Sequence, residues 1–310
     1  MKPLRIAILG ATSHIAKGLI KYWSGQNDRE LLLYARSSEQ VRAFLGQLGN
    51  IPIARVYSIE AYGLEQHDVV INCIGFGGPQ KLNNSLGDIF RLTTMFDDSI
   101  INYLEVNPDT IYVNLSSGAA YGADFSQPVN EQSQARFNIN DLKAQEFYGI
   151  SKLHSEARHR ALRHLNIIDV RIFGYFSRYI DLNEKFLLSE IISCVKNKEV
   201  FVTSPTNILR DYLHPYDLSE LIDCFIENCP MNDVFDSYSA KEVHKFELLG
   251  LFSEIYGLQY KIDDSHQLFA VTGTKDYYYP VSRKASKINY IPRFSSIEAI
   301  NKETSVILGY

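Results

Sequence analysis

Several short apolar runs, each closing on small or polar residues, constrain this chain more than any other feature. Leu4-Arg5-Ile6-Ala7-Ile8-Leu9 closes on Gly10, and Leu31-Leu32-Leu33-Tyr34 on Ala35 and Arg36. Asp68-Val69-Val70-Ile71-Asn72-Cys73-Ile74 closes on Gly75, and Thr110-Ile111-Tyr112-Val113-Asn114-Leu115 on Ser116 and Ser117. A strand apolar at consecutive positions is buried on both faces, as in the middle of a parallel sheet. Helical patterning follows the first run at Ile15, Leu19 and Ile20, and strand and helix signals then alternate to about Phe173. That pattern predicts an α/β fold with a doubly wound parallel sheet. Such sheets hold ligands beyond the carboxyl ends of their strands. The Gly10 turn, Arg36, Gly75 and Ser117 are therefore expected to line one crevice.

The first turn reads Gly10-Ala11-Thr12-Ser13-His14-Ile15. Amides at a helix N-terminus can bind a pyrophosphate, so Gly10, Thr12, Ser13, His14 and Ile15 are candidate dinucleotide contacts, joined by Ile74 and Gly75. The usual fingerprint carries three glycines. Here its places hold Gly10, Ser13 and Ala16, and a plain strand-turn-helix would serve as well. A site selecting NAD places a carboxylate at the end of the second strand, for the ribose 2′-OH. This chain has none there. Arg36, beside Ser37 and Ser38, offers planar charged donors that suit a 2′-phosphate. NADP is the expected cofactor, with NAD the alternative.

Tyr148 and Lys152 stand one helical turn apart in Tyr148-Gly149-Ile150-Ser151-Lys152, which puts them on one helix face. An ammonium so placed favours the phenolate. The phenol can then pass a proton to or from an alcohol oxygen while hydride moves at the same carbon. Ser117, at the end of its strand, can hold that oxygen. The candidate catalytic set is Ser117, Tyr148 and Lys152.

The rest of the chain sets bounds. At 310 residues it makes one domain or two closely joined ones. A net charge of −5 without a basic stripe does not favour nucleic acid. The apolar segments are too short to cross a membrane, and Leu4–Leu9 reads as a buried strand, not a signal peptide. Cys73, Cys194, Cys224 and Cys229 have no metal or redox spacing, which suits a reduced, cytoplasmic protein with no metal. His154, His159 and His164 are assigned to a helix surface or dimer face, not to a metal.

Beyond Phe173 the order loosens. Helices are expected near 186–195, 218–226 and 245–255, and a strand near 199–202. Residues 1–173 form the predicted dinucleotide-binding domain, with roughly 205–230 returning to it. Residues 174–310 form mainly a smaller substrate-binding lobe. Tyr277-Tyr278-Tyr279-Pro280 lines either the ligand pocket or a packed lobe interface, and Arg283 is a candidate phosphate contact.

These features resemble extended short-chain dehydrogenases/reductases, in the NAD-dependent epimerase/dehydratase group that acts on nucleotide sugars. The resemblance rests on the Gly10 turn, Leu115-Ser116-Ser117-Gly118-Ala119-Ala120-Tyr121-Gly122, Tyr148 to Lys152, Arg171-Ile172-Phe173, and Arg210-Asp211-Tyr212-Leu213-His214-Pro215. It implies a Rossmann-type sheet, a Ser117-Tyr148-Lys152 triad, and a hydrogen bond from Lys152 to the nicotinamide ribose. It also implies that Arg210 meets the diphosphate of a nucleotide sugar, that Phe173 lies by the cofactor, that Phe76 and Gly118 lie by the substrate, and that helices near 89–104 and 148–165 pair in a homodimer. Two departures stand out. Gly174 falls where the family often has asparagine, and Gly118-Ala119 where 4,6-dehydratases carry an Asp-Glu pair. The main expectation is an NADPH-dependent reductase of a nucleotide-linked keto-deoxy sugar, serving polysaccharide biosynthesis by analogy. The alternative is a nucleotide-sugar epimerase with tightly held NAD(P), and a third reading is a non-catalytic dinucleotide-binding protein.

Overall fold

The computed structural model describes residues 2–49, 51–75, 86–265 and 275–310; Phe76 lies outside them. The chain begins as strand β1 (Leu4–Leu9), helix α1 (His14–Trp23), β2 (Arg29–Ala35), α2 (Ser38–Gln47), β3 (Ala54–Ser58) and β4 (Val69–Asn72). It continues as α3 (Asp88–Val106), β5 (Ile111–Ser117), α4 (Ala144–Ala161) and β6 (Asn166–Ile172). Helix α5 (Leu187–Asn197), strands β7 (Val200–Thr203) and β8 (Leu209–Arg210) and helix α6 (Pro215–Asn228) follow, and β9 (Asp233–Asp236) rejoins the sheet.

The resulting seven-stranded sheet has the order β3-β2-β1-β4-β5-β6-β9, with every neighbouring pair parallel. The order reverses at β1, where the strand sequence runs outward both ways, and a crevice opens at such a switch point. Helices α1, α2 and α6 cover one face through Trp23, Phe44, Leu221 and Phe225. On the other face Ile100 and Leu104 of α3 pack on Ala7, Leu9 and Tyr112. Sheet burial on both sides explains why β2, β4 and β5 read as apolar runs without alternation.

The remaining elements are β10 (Val243–His244), α7 (Lys245–Tyr256), β11 (Gln259–Ile262), β12 (Tyr277–Tyr278), a 3-10 turn (Lys284–Ile288) and α8 (Ser296–Leu308). With α5 they enclose a second core of Phe176, Leu188, Ile191, Ile192, Leu248, Leu249, Phe252 and Ile300. A three-stranded sheet, β10-β8-β12, brings Tyr278 alongside Arg210. Among the described residues no helix is long and apolar enough to cross a membrane. Nor, among them, does any cluster of histidine, cysteine and carboxylate side chains suit a metal ion. The four cysteines are free thiols.

Candidate active site

The crevice floor is made by the turn after β1. Gly10 has φ +74°, and a Cβ there would meet the carbonyl of Cys73 at 3.0 Å and Ile74 Cγ1 at 3.1 Å. A side chain would strain the backbone and wedge β1 from β4. Ser13 replaces the second fingerprint glycine with a different service: its Oγ accepts from the Ala16 amide at 3.2 Å and caps α1. Its carbonyl takes the Lys17 amide. The amides of His14 and Ile15 are left as first-turn donors, available to an anion. Thr12, Ser13, His14 and Ile15 are all half-buried. The His14 imidazole is pushed down to about 4 by burial and by Lys17, so it meets a ligand neutral, its ring edge against Tyr175.

Beyond β2, Arg36 is exposed and has no ion-pair partner among the described residues. Ser37 Oγ is engaged as the cap of α2, accepting from Gln40. Ile74 is half-buried and Gly75 exposed.

Strand β5 delivers Ser117, whose Oγ accepts from the Ala119 amide at 3.2 Å and starts a 3-10 turn over Gly118–Tyr121. Helix α4 presses on that turn. A Cβ at Gly149 would drive into the Ala119 carbonyl oxygen, so only glycine lets the helix approach so closely. The approach sets Tyr148 and Lys152 beside the end of β5. Lys152 is buried, and its Nζ donates to Leu115 O at 3.0 Å. The same Nζ lies 5.7 Å from the centre of the Tyr148 ring. No carboxylate pairs with it among the described residues.

Behind this pair the same helix is densely bonded. Glu156 accepts from Ser116 Oγ at 2.5 Å and forks onto Arg171, with Nη2 at 2.6 Å. Arg171 lies over the Tyr121 ring, and Tyr121 donates to Asp236. His159 is fully buried between Asp97 and Asp169, at 2.8 Å from each. A further chain leads back to the crevice: Asp97 accepts from Tyr112, Tyr112 accepts from Asn72, and Asn72 Oδ1 accepts from the Ile74 amide.

The facing wall is aromatic. Phe125, Val129, Phe173 and Tyr278 form a small buried cluster, with Gly118 packed directly under the Phe173 ring. The Tyr278 hydroxyl lies 3.4 Å from Ser117 Oγ and within electrostatic reach of Tyr148 and Arg210. Lys275 Nζ sits 3.8 Å from the centre of the Tyr278 ring. Burial, and then Arg210, push the Lys275 ammonium down to about 7. Arg210 donates to two carbonyls, Leu209 O and Asp276 O, and burial holds it below its usual range.

The structure thus gathers Ser117, Gly118, Tyr148, Lys152, Phe173 and Arg210 around one crevice. It does not bring Arg283 there. That guanidinium lies over the Tyr238 ring, 4.4 Å from its centre, and donates to Pro280 O. Gly174 has a steric reason to lack a side chain: a Cβ would run into the Asp211 carbonyl. Lys275, Glu156 and Gly149 escaped the sequence reading. Glu156 carried a signal, since it falls one turn beyond Lys152 on the same helix face.

The sequence profile of the NAD-dependent epimerase/dehydratase family matches residues 6–239. Comparison with curated proteins gives no match. Among solved structures, a UDP-N-acetylglucosamine 4-epimerase from Methanobrevibacter ruminantium M1, in complex with UDP-N-acetylmuramic acid, superposes with a TM-score of 0.81 at 14% identity, over 100% of this chain and 99% of its own. A UDP-glucose 4-epimerase from Thermotoga maritima, with UDP-glucose, gives 0.79 at 14% identity, over 99% of each chain. A dTDP-glucose 4,6-dehydratase from Bacillus anthracis, in complex with NAD, gives 0.76 at 12% identity, over 97% of this chain and 96% of its own. At these identities the likeness is one of fold.

Proposed function

The chain belongs to the NAD-dependent epimerase/dehydratase family, and on that premise we propose that it is a nucleotide-sugar epimerase working through a keto intermediate. The observation that carries this reading is Lys152, buried and without a carboxylate partner among the described residues, one turn from Tyr148 and beside Ser117. A dinucleotide held at the Gly10 turn and the His14 and Ile15 amides would supply the hydride acceptor and donor for the sugar carbon. Tyr148 takes the proton of the sugar hydroxyl in the first half and gives it back in the second. Lys152 stabilises the negative charge that forms on the Tyr148 oxygen. Ser117 donates to the reacting oxygen, and Arg210 faces the diphosphate. A dehydratase is disfavoured because Gly118 and Ala119 offer no carboxylate to remove water.

The solved structures above are named as epimerases and a dehydratase, with NAD in one. They support the epimerase over the reductase expected from Arg36. The reductase stays as a second reading on one observation, Arg36, exposed and without an ion-pair partner among the described residues, which also favours NADP. A homodimer fits the apolar side chains exposed on α3 and α4, among them Phe90, Met95 and Leu153.

The test is the nicotinamide content of freshly purified protein, with turnover of UDP-glucose, UDP-N-acetylglucosamine, UDP-glucuronic acid and dTDP-glucose without added cofactor. The epimerase reading expects co-purified dinucleotide and interconversion of one sugar pair. Protein that arrives empty, and acts only by consuming NADPH, overturns it in favour of the reductase.

A further inference from the structure

Tyr278 comes from the lobe, 161 positions beyond Ser117, yet its hydroxyl ends at the Ser117 Oγ. Its ring is buried, edge-on to Phe125 at 4.6 Å and tilted against Phe173 at 5.2 Å. Burial pushes the phenol up, so it keeps its proton and needs an acceptor. Among the described residues, the side-chain oxygen within hydrogen-bond distance of it is that of Ser117.

A serine hydroxyl has one proton to give and two lone pairs to fill. The Ala119 amide fills one lone pair of Ser117. If Tyr278 fills the other, the Ser117 proton can point only into the crevice. The reverse arrangement, with Ser117 donating, sends the phenol proton away from the one side-chain acceptor that pairs with it among the described residues, which costs its desolvation. We propose that Tyr278 is a positioning residue: it donates to Ser117 and so commits the Ser117 hydroxyl to donate to the reacting sugar oxygen. This inference rests on the triad chemistry proposed above.

The commitment acts selectively. An alcohol oxygen can donate or accept, whereas a keto oxygen only accepts. A serine locked as a donor therefore stabilises the keto state and the transition state leading to it more than the bound alcohol. Such an interaction appears in kcat and leaves KM nearly untouched.

The experiment is a double-mutant cycle on the full chain, with whichever of the four nucleotide sugars above is turned over as the probe. Tyr278→Phe keeps the ring and its contacts. It should lower kcat about tenfold, the loss of one hydrogen bond in a buried site, with KM within about twofold. In a Ser117→Ala background the same change should cost almost nothing more, because its effect passes through the serine. Equal losses in both backgrounds, or no loss in kcat, overturn the proposal. Thermal unfolding checks each variant. If Tyr278→Phe does not fold, Tyr278→His, which keeps a donor, should retain more kcat than Tyr278→Leu, and equal rates overturn the proposal. Tyr148→Phe separates the two levels: full activity there fails the triad reading itself, whereas loss of activity there with an additive cycle fails only the role of Tyr278.

Discussion

The two halves of helix α4 treat charge in opposite ways. Its C-terminal half carries Glu156, Arg158, His159 and Arg160, and each has an oppositely charged partner: Arg171, Asp97 and Asp98, Asp97 and Asp169, and Asp169 in turn. Its N-terminal half offers the crevice Tyr148 and Lys152, with a carbonyl and no carboxylate to satisfy the ammonium among the described residues. Arg210, across the crevice, likewise has carbonyls for partners. Cations behind the site are neutralised by carboxylates, whereas Lys152 and Arg210 facing it have carbonyl partners, as the proposed chemistry requires. A buried pair adds little net stability but is costly to break, so the paired half acts as the anchor from which the unpaired half is aimed.

Perturbing each half should give a different signature. The largest effect is expected at the open end. Tyr148→Phe should cut turnover about 10²- to 10⁴-fold, the usual weight of a general acid-base, while the melting temperature stays put; a matching fall in melting temperature would erase the distinction between the halves. The anchor should behave the other way. Arg171→Met leaves the buried Glu156 carboxylate unpaired, and is expected to cost about 3–5 kcal/mol of stability by denaturant unfolding. Well-folded Arg171→Met protein that had nonetheless lost all turnover would show that Arg171 serves the chemistry directly.

The smallest and most specific effect is in pH. Burial pulls the His159 imidazole down, but hydrogen bonds and charges from Asp169 and Asp97 outweigh it and raise the group from 6.5 to about 9. A folded-state value above the unfolded one means the bound proton stabilises the fold. That contribution is complete below about pH 6.5 and is lost as pH rises through about 9. Unfolding free energies measured across this window should fall towards alkaline pH in the parent protein and fall less in His159→Gln. Parallel pH profiles would place the alkaline transition in some other group.

Much of the fold and the open end of α4 was legible in the sequence, and the missing part has a physical cause. Central strands of a parallel sheet announce themselves because both faces are buried, so β2, β4 and β5 stood out, and the helix bearing Tyr148 and Lys152 followed from their spacing. Strand β9 did not, since four residues, Asp-Val-Phe-Asp, carry too little pattern. His159 read as a surface or dimer residue because sequence spacing could not show Asp97 and Asp169 closing on it from α3 and β6; the imidazole is fully buried. Arg283 and Tyr278 lie close in sequence, yet one stacks on Tyr238 and the other reaches Ser117. Their divergence is decided by how the lobe folds back onto the sheet, and no local rule encodes that. The charge of Arg36 suits NADP; the structure leaves it exposed and without an ion-pair partner among the described residues, and the family is named for NAD.

The contact of Gly149 with the Ala119 carbonyl has a consequence for how such a chain can change over time. The helix bearing Tyr148 and the turn that starts at Ser117 touch main chain to main chain, so their separation does not depend on which side chains fill the surrounding space. Mutations in the C-terminal segments can widen, narrow or recharge the mouth of the crevice without lengthening the gap between Tyr148 and Ser117. Selection can then rework those segments for a new ligand while that gap is inherited unchanged.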